Sequence, residues 1–220
     1  MPYDGLVLAA VVQELQPLID TRIDKIYQPL REEIHLLLRS AGEKVRLLLN
    51  TNSNLARVHL TWQSKANPTF PPVFCMVLRK HLEGGRIKAI RQMGLDRVLH
   101  LEIENRDELG QLSLKTLILE IMGKHSNLIL VNEQGEILDG IRRYGHAVSR
   151  HREILPGQLY IAPPAQNKKN PLDLNEEEFF ELLLSQKPEA LVWQIIQQKL
   201  EALSPLTARE ILLQCNLPIN

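Results

Sequence analysis

Two cysteines in 220 residues, Cys75 and Cys215, are too few for a disulfide framework. Cys75 falls in a short apolar pattern where a small thiol packs well, and a reducing cytoplasm is the expected setting. No apolar run reaches the ~18 residues a membrane span needs, so no membrane partner is expected. The amino terminus lacks the basic stretch, apolar run and cleavage site of a secretory signal. Also missing are the Gly-rich loops that cradle phosphates in P-loop and dinucleotide-binding proteins, and no serine stands in a nucleophile-elbow context. The seven histidines are scattered. His146 and His151 are the one close pair, short of the several ligands at helical or hairpin spacing that a metal site needs. These absences leave nothing that demands an enzyme, a metal, a cofactor or a small-molecule substrate.

Net charge is absent too: 26 lysines and arginines balance 26 aspartates and glutamates, so overall charge says nothing about nucleic acid. The distribution says more. Between Arg79 and Arg97 stand Arg79, Lys80, Arg86, Lys88, Arg91 and Arg97 against Glu83 and Asp96 alone. Between Arg142 and Arg152 stand Arg142, Arg143, Arg150 and Arg152, with His146 and His151 and no acid. The acids gather instead from Asp173 to Glu181. Two basic stretches can make a positive surface on a neutral protein. Solvated strand ends and loops account for either stretch taken alone.

What the chain does contain is a two-part strand pattern with helices before each part. Asp4-Gly5 precede an apolar helical segment, Leu6 to Ile19, that Pro17 bends or ends. Short alternating runs then read as antiparallel strands: Ile23–Tyr27, Glu33–Arg39, Val45–Leu49 and a weaker one over Ala56–Leu60. Pro71-Pro72 opens a short helix bearing Phe74, Val77 and Leu78 on one face, and Gly84-Gly85 stops it. A second strand set follows: Ile87–Gln92, Leu95–Ile103, Leu114–Ile121, Ser126–Val131 and Glu136–Arg142. Turns at Met122–His125 and Asn132–Gly135 make hairpins of the last three. The expectation is an α+β domain over 1–170 with an antiparallel two-sheet or barrel-like β core. Prolines 156, 163, 164 and 171 with Asn167-Lys-Lys-Asn170 have linker composition. From 171 to 220 the pattern is helical throughout: Asn175 caps an acidic first turn, Pro188 starts the next helix and Ser204-Pro205 the last.

Asp96-Arg97 is the least expected feature. In a regular strand Arg97 shares a face with Leu99, Leu101 and Ile103, while Asp96 points the other way. An arginine at the end of an apolar face must find a carboxylate, a carbonyl or a ligand phosphate. An ion pair with Asp4 or Glu120 is one reading and a ligand contact the other. Asp4 is equally ambiguous, since it can simply cap the first helix. The hairpin tip between Glu120 and Asn127 carries Lys124, His125, Ser126 and Asn127, all able to meet phosphate or sugar. Most such tips are only turns.

Several ordered segments together resemble the NFACT N-terminal domain, the amino-terminal module of the bacterial RqcH proteins. They are Asp4-Gly5, Ile26-Tyr-Gln-Pro29, Ala56-Arg-Val-His59, Pro72 through Gly85, Gly94-Leu-Asp-Arg97, Glu120-Ile-Met-Gly-Lys-His-Ser-Asn127 and Leu155-Pro-Gly157. Pro163 to Pro171 resembles the linker that follows that module, and Leu203 to Glu210 the start of its helix-hairpin-helix region. The resemblance implies a cytoplasmic factor of ribosome quality control. Such a factor binds a large ribosomal subunit obstructed by peptidyl-tRNA and recruits alanyl-tRNA for untemplated alanine tailing. The subunit's own centre makes the bonds. The resemblance further implies that Asp96 and Arg97, with Asp4, bind tRNA; Arg79, Lys80, Lys124, His125 and Asn127 are further candidate contacts. The family's coiled coil and strongly basic second domain have no counterpart in these residues, so the chain is either an excised piece or a short form.

The same resemblance implies a fold like the N-terminal domain of formamidopyrimidine-DNA glycosylases, whose nucleophile is an N-terminal proline. Pro2 could occupy that place, but Tyr3 stands where the following acid belongs, and the cysteines of a zinc finger are missing. A DNA glycosylase is therefore the enzymatic alternative. A fibronectin-binding surface adhesin is the third reading, and the missing signal sequence counts against it.

Overall fold

The computed structural model describes residues 3–40, 42–106, 110–145, 152–185 and 190–219. Contacts within the chain gather into two compact units. One comprises Met1–Ala9, Gly94–Arg97 and Pro163–Asn220, the other Ala10–Met93 and Val98–Ala162. The unit holding the carboxy-terminal helices thus also takes in two short stretches from far earlier in the chain, which a single cut near residue 171 does not describe.

The larger unit is framed by nine strands: β1 (Arg22–Leu30), β2 (Glu33–Ser40), β3 (Glu43–Asn50), β4 (Arg57–Leu60), β5 (Arg86–Gln92), β6 (Val98–Arg106), β7 (Leu112–Glu120), β8 (Asn127–Val131) and β9 (Ile137–Gly140). They form one sheet in the order β4-β3-β2-β1-β5-β6-β7-β8-β9, antiparallel throughout. Within each set, strands that follow one another in sequence are neighbours in the sheet. The two sets meet at the pair Arg22↔Arg86.

The expected two-sheet or barrel-like core is not confirmed. The strands make a single sheet, and among the described residues no pairing of β4 with β9 closes it. The cause is the glycine pair that follows α2 (Val73–Leu82). Gly84, at φ +89°, takes the left-handed conformation that ends the helix. Its N–H donates to the Ile23 carbonyl at 2.8 Å, and the Gly85 carbonyl accepts from Ile23 N–H at 2.9 Å. A Cβ on Gly85 would lie 2.8 Å from the Glu104 carbonyl oxygen, so only glycine admits these backbones so close together.

α2 begins after Pro72 and buries Phe74, Cys75, Leu78 and Leu82, an i, i+4, i+8 stripe with Cys75 beside it. Val77, expected on that face, is half-buried at its margin. The stripe packs against β1, β6 and β9. Ile23, Ile26, Ile34, Leu36, Leu38, Leu47 and Leu49 alternate onto the apolar side of the first strand set and are fully buried. α1 (Gly5–Leu15) stops two residues short of Pro17, which sits in a 3-10 turn over Gln16–Leu18.

Two polar clusters are buried with the apolar core. Glu120 is fully buried, and both its oxygens accept from the Arg152 guanidinium at 2.5 Å, with Tyr160 Oη donating to the first at 2.8 Å. Glu33 accepts from Lys65 Nζ at 2.6 and 2.8 Å, from Asn50 at 2.9 Å and from His35 Nε2 at 2.9 Å. Arg46 lies 3.2 Å from His35 Nδ1. A guanidinium can only donate, so His35 accepts at Nδ1 and carries its proton on Nε2, a neutral ring. Burial, outweighing Glu33, holds the His35 pKa below its ordinary value. Burial alone would raise the Glu33 pKa, but the hydrogen bonds from Lys65 and His35 overcome it and the net shift is downward.

In the smaller unit, α3 (Glu176–Leu184) starts at a capping box in which Asn175 and Glu178 satisfy each other's backbone N–H. α4 spans Val192–Lys199 and α5 Pro205–Gln214, the latter capped by Ser204. Pro188, expected to start a helix, lies outside the described residues. Leu182, Ile195, Ile196, Leu200, Leu203, Ala208 and Leu212 form this unit's core, with Leu6 of α1 packed against it. Part of the expected linker is tied down here: Lys169 exchanges backbone hydrogen bonds with Lys199 and Glu201 at 2.8 and 2.9 Å.

Two outcomes follow. His35 is neutral in the fold, while the unfolded chain takes up a proton near pH 6.5. Its contribution is therefore complete above that pH and lost as pH falls toward the depressed folded value, by up to about 1.4 kcal/mol per pH unit. Denaturant midpoints should fall between pH 7.5 and 5.5, and less so in His35→Gln. Glu120→Ala strands a buried guanidinium and should cost about 3–5 kcal/mol, read by the same melts at pH 7.5.

Candidate nucleic-acid interface

β6 starts at Val98, not at Leu95 as its apolar alternation suggests. Met93 N–H donates to the Val98 carbonyl at 3.0 Å, closing the β5–β6 hairpin around a tip of Gly94, Leu95, Asp96 and Arg97. Gly94 is left-handed at φ +58°, and Asp96 Oδ1 accepts the N–H of Arg97 at 2.8 Å. Such a local side-chain bond competes with the strand ladder and favours a turn. Arg97 therefore does not share a sheet face with Leu99. It stands half-buried on a tip.

The two carboxylates proposed as its partners are otherwise engaged. Glu120 holds Arg152 and Tyr160. Asp4, 5% exposed, accepts the N–H of Val7 on Oδ1 at 3.1 Å and that of Ser204 on Oδ2 at 3.2 Å, and Thr207 Oγ1 also donates to Oδ2. Among the described residues no carboxylate forms an ion pair with Arg97. The Lys168 ammonium lies near enough to feel it: burial first and the Arg97 charge second lower the Lys168 pKa, with Asp96 and Glu201 acting the other way. Lys168 also donates to the Gln197 carbonyl at 2.8 Å. The tip and Lys168 thus place two cations and a backbone-directed carboxylate together on one compact unit.

Asp4-Gly5 explains how the tip is held. Asp4 caps α1 and reaches the first turn of α5, so one negative charge lies at the positive ends of two helix dipoles. Gly5 N–H donates to the Ala202 carbonyl at 3.1 Å. A Cβ on Gly5 would lie 2.2 Å from the Leu95 carbonyl oxygen and 2.7 Å from Ala202 Cα. The glycine lets the backbone one residue before Asp96 approach closely, and Ala202 itself is left-handed at φ +66°. Asp4 is thus buried among neutral donors and not presented to solvent, which corrects its reading as a direct contact.

The other candidates separate. Lys124 and His125 are exposed on a 3-10 turn, and Lys80 is exposed near the end of α2. Arg79 is half-buried, donates to the Ile26 carbonyl at 2.9 Å and lies 5.8 Å from the Tyr27 ring centroid. Asn127 is fully buried: its amide donates to the Arg142 carbonyl at 3.0 Å and accepts from Arg142 N–H at 3.1 Å. It is no surface contact, because a polar side chain on the strand next to β9 is used to pair backbone there.

The second basic stretch is likewise turned to structural use. Arg142 holds Glu32 and the carbonyls of Thr51 and Lys124, Arg143 holds Asp139 at 2.7 Å, and Arg152 holds Glu120. Arg150, His146 and His151 lie outside the described residues, as does Pro2. Among the described residues no group of three His, Cys, Asp or Glu side chains is placed to hold a metal ion, and no helix is long and apolar enough to cross a membrane. Sequence reasoning missed Lys168, Ser204 and Thr207. The lysine stood in a stretch with linker composition, and no local pattern joins Asp4 to a helix 200 residues away.

The family described as NFACT N-terminal and middle domains matches residues 4–220. A Bacillus subtilis protein named Rqc2 homolog RqcH is 39% identical over 96% of this chain and 37% of its own length. An archaeal Rqc2 homolog from Methanocaldococcus jannaschii is 30% identical over 76% of this chain and 24% of its own. The chain therefore spans less than two fifths of the curated bacterial relative. Among solved structures, the N-terminal domain of fibronectin-binding protein PavA from Streptococcus pneumoniae superposes with a TM-score of 0.89. It is 38% identical and covers 98% of this chain and 81% of that one. The fibrinogen-binding protein of Staphylococcus aureus gives 0.86 at 37% identity, covering 99% and 77%.

Asp4→Ala should cost about 2–3 kcal/mol, since it removes a cap and strands donors from α1 and α5. Asp4→Asn, which still caps, should cost about 1 kcal/mol. Gly5→Ala should exceed both, because its methyl meets backbone that cannot give. Urea melts of the three variants test this order.

Proposed function

The chain belongs to the NFACT N-terminal family, and from that membership and the Gly94–Arg97 tip we propose that it is a tRNA-positioning module of ribosome quality control. In this reading it works in the cytoplasm, binds a large ribosomal subunit obstructed by peptidyl-tRNA and recruits alanyl-tRNA for untemplated alanine tailing. It performs no bond chemistry of its own. The support from homology is coarser: relatives from bacteria and archaea carry names of this quality-control system.

The observation that carries the reading is the state of Arg97. It stands on a hairpin tip, half-buried, with no ion-pair partner among the described residues and with a second cation, Lys168, close by. An arginine on a backbone-held tip with a lysine close by suits a phosphate or a ribose-phosphate edge. Asp96 spends one oxygen on the Arg97 backbone. A negative group cannot bind phosphate, so its part is to orient Arg97 or a sugar hydroxyl. Asp4 acts at one remove by holding the backbone that carries the tip. Lys80, Lys124 and His125 are exposed enough to touch RNA; Arg79 reaches it only with the part its Ile26 bond leaves over.

Arg97→Ala decides between contact and structure. A surface contact should leave stability within about 1 kcal/mol and lower tRNA affinity at least tenfold, which takes about 1.4 kcal/mol. Asp96→Ala should behave alike, and Asp4→Asn should bind normally per folded molecule. Melts and filter binding on the same preparations measure both. A large loss of stability with binding intact would make Arg97 structural. Two solved relatives are named for binding fibronectin or fibrinogen; fibronectin offered in the same assay, with saturable binding, would favour that reading instead.

A further inference from the structure

A second cationic surface lies on the larger unit and involves none of these residues. The strand register sets Lys44 of β3 opposite Arg39 of β2, Arg39 opposite Arg22 of β1, and Arg22 opposite Arg86 of β5. Directly opposed residues face the same side of a sheet, and all four are exposed. One cation per strand thus forms a row across four strands, about 14 Å long at the usual strand spacing.

Like charges directly opposite one another oppose folding, and exposed positions gain nothing from packing these groups. Relief is partial. Arg39 Nε donates to Asp24 at 2.9 Å, and Arg86 donates to the Asp20 carbonyl at 2.7 Å. Arg22 and Lys44 have no carboxylate partner among the described residues. Arg22, Lys25, Arg39 and Lys44, with Asp24 and Leu37, line a depression of about 450 Å³. Lys88 is exposed two residues after Arg86, and a bulge between Ile87 and Ala89 shifts the alternation of β5 so that Arg91 is exposed too. Each of those two meets one acid, Asp20 and Glu102 respectively.

We propose that this face is a docking surface for the phosphodiester backbone of RNA, separate from the Gly94–Arg97 tip. The repeat of the row, a charge every strand spacing, is of the order of the charge repeat along a nucleic-acid strand. The depression offers one apolar side chain, Leu37, whereas a protein-binding face needs an apolar or aromatic centre. Contacts to phosphate alone carry no sequence preference. RNA is chosen over DNA because the inference rests, for that choice only, on the quality-control reading above.

The test uses an RNA hairpin of about 12 base pairs, without tRNA features, titrated over a range of salt. Arg22→Gln with Lys44→Gln should weaken binding at least tenfold at low salt and flatten the log-log salt slope by one to two units, near the ~0.9 expected per released charge. The melting temperature should hold or rise, because a repulsion is removed. Arg22→Lys with Lys44→Arg should bind as the natural chain does. Made in the Arg97→Ala background as well as in the natural chain, the Gln pair should flatten the slope by the same amount, so a failure of the tip as a tRNA site and a failure of this face give different results. Unaltered affinity and slope in the Gln pair would overturn the proposal. So would equal competition by poly-glutamate, which would indicate an acidic protein partner, or tighter binding of a DNA duplex of the same length.

Discussion

One buried carboxylate organises the smaller unit. Asp4 accepts from Val7, Ser204 and Thr207 and so satisfies the first turns of α1 and α5 at once. Each of those turns has N–H groups without partners inside its own helix, and leaving them unpaired in a buried place is costly. The same acid lies at the positive ends of both dipoles, where negative charge is favoured. Next to it Gly5 has no side chain, and the Leu95 carbonyl comes within the space a methyl would need. The position of the Asp96-Arg97 tip on this unit is therefore set by two residues some ninety positions earlier in the chain, neither of which needs to touch a ligand.

Much of the fold was legible because its periods are local. The nine strands, the stripe on α2, the stop at Gly84 and the Asn175 cap each follow from a pattern within one element. The single sheet was not legible. Its two strand sets meet through backbone bonds of Ile23, Gly84 and Gly85, and backbone bonds carry no side-chain pattern. Gly84-Gly85 read as a helix stop was correct but incomplete. The strand start at Leu95 misled for a related reason: Leu95 is buried, as a strand residue would be, yet it is buried by a turn.

The candidate site divides in the same way. Asp96 and Arg97 were visible as a charged pair beside an apolar run, and the structure puts them on a hairpin tip with Arg97 half-buried. Asn127 was visible only as a polar residue in a turn, and the structure uses its amide on Arg142. Arg142, Arg143 and Arg152 looked like one basic surface because they are close in sequence. Two of their acids, Glu32 and Glu120, come from elsewhere in the larger unit, and the third, Asp139, stands four residues before Arg143, just outside the stretch. Proximity in sequence overstates a patch whenever the neutralising partners are distant, and understates one whenever the cations are. Lys44, Arg39, Arg22 and Arg86 are the second case, brought into a row by register alone.

These two kinds of arginine separate on energetic grounds. Arg152 is buried with a carboxylate that meets no other cation among the described residues, so either one without the other is an unpaired charge in a poor solvent. That mutual dependence makes the pair structural, whatever it does besides. Arg97, Arg22 and Lys44 are at least partly in water, and nothing described in the fold requires their charge. Arg22 and Lys44 stand opposite like charges, and the Arg97 charge acts on Lys168 with a sign that disfavours the lysine's own. A fold gains no stability from crowding cations at exposed positions. What such crowding does provide is a field that an anion strengthens on arrival. The charges that cost this fold something are the ones to assign to a partner, and the charges it cannot lose are the ones to assign to itself.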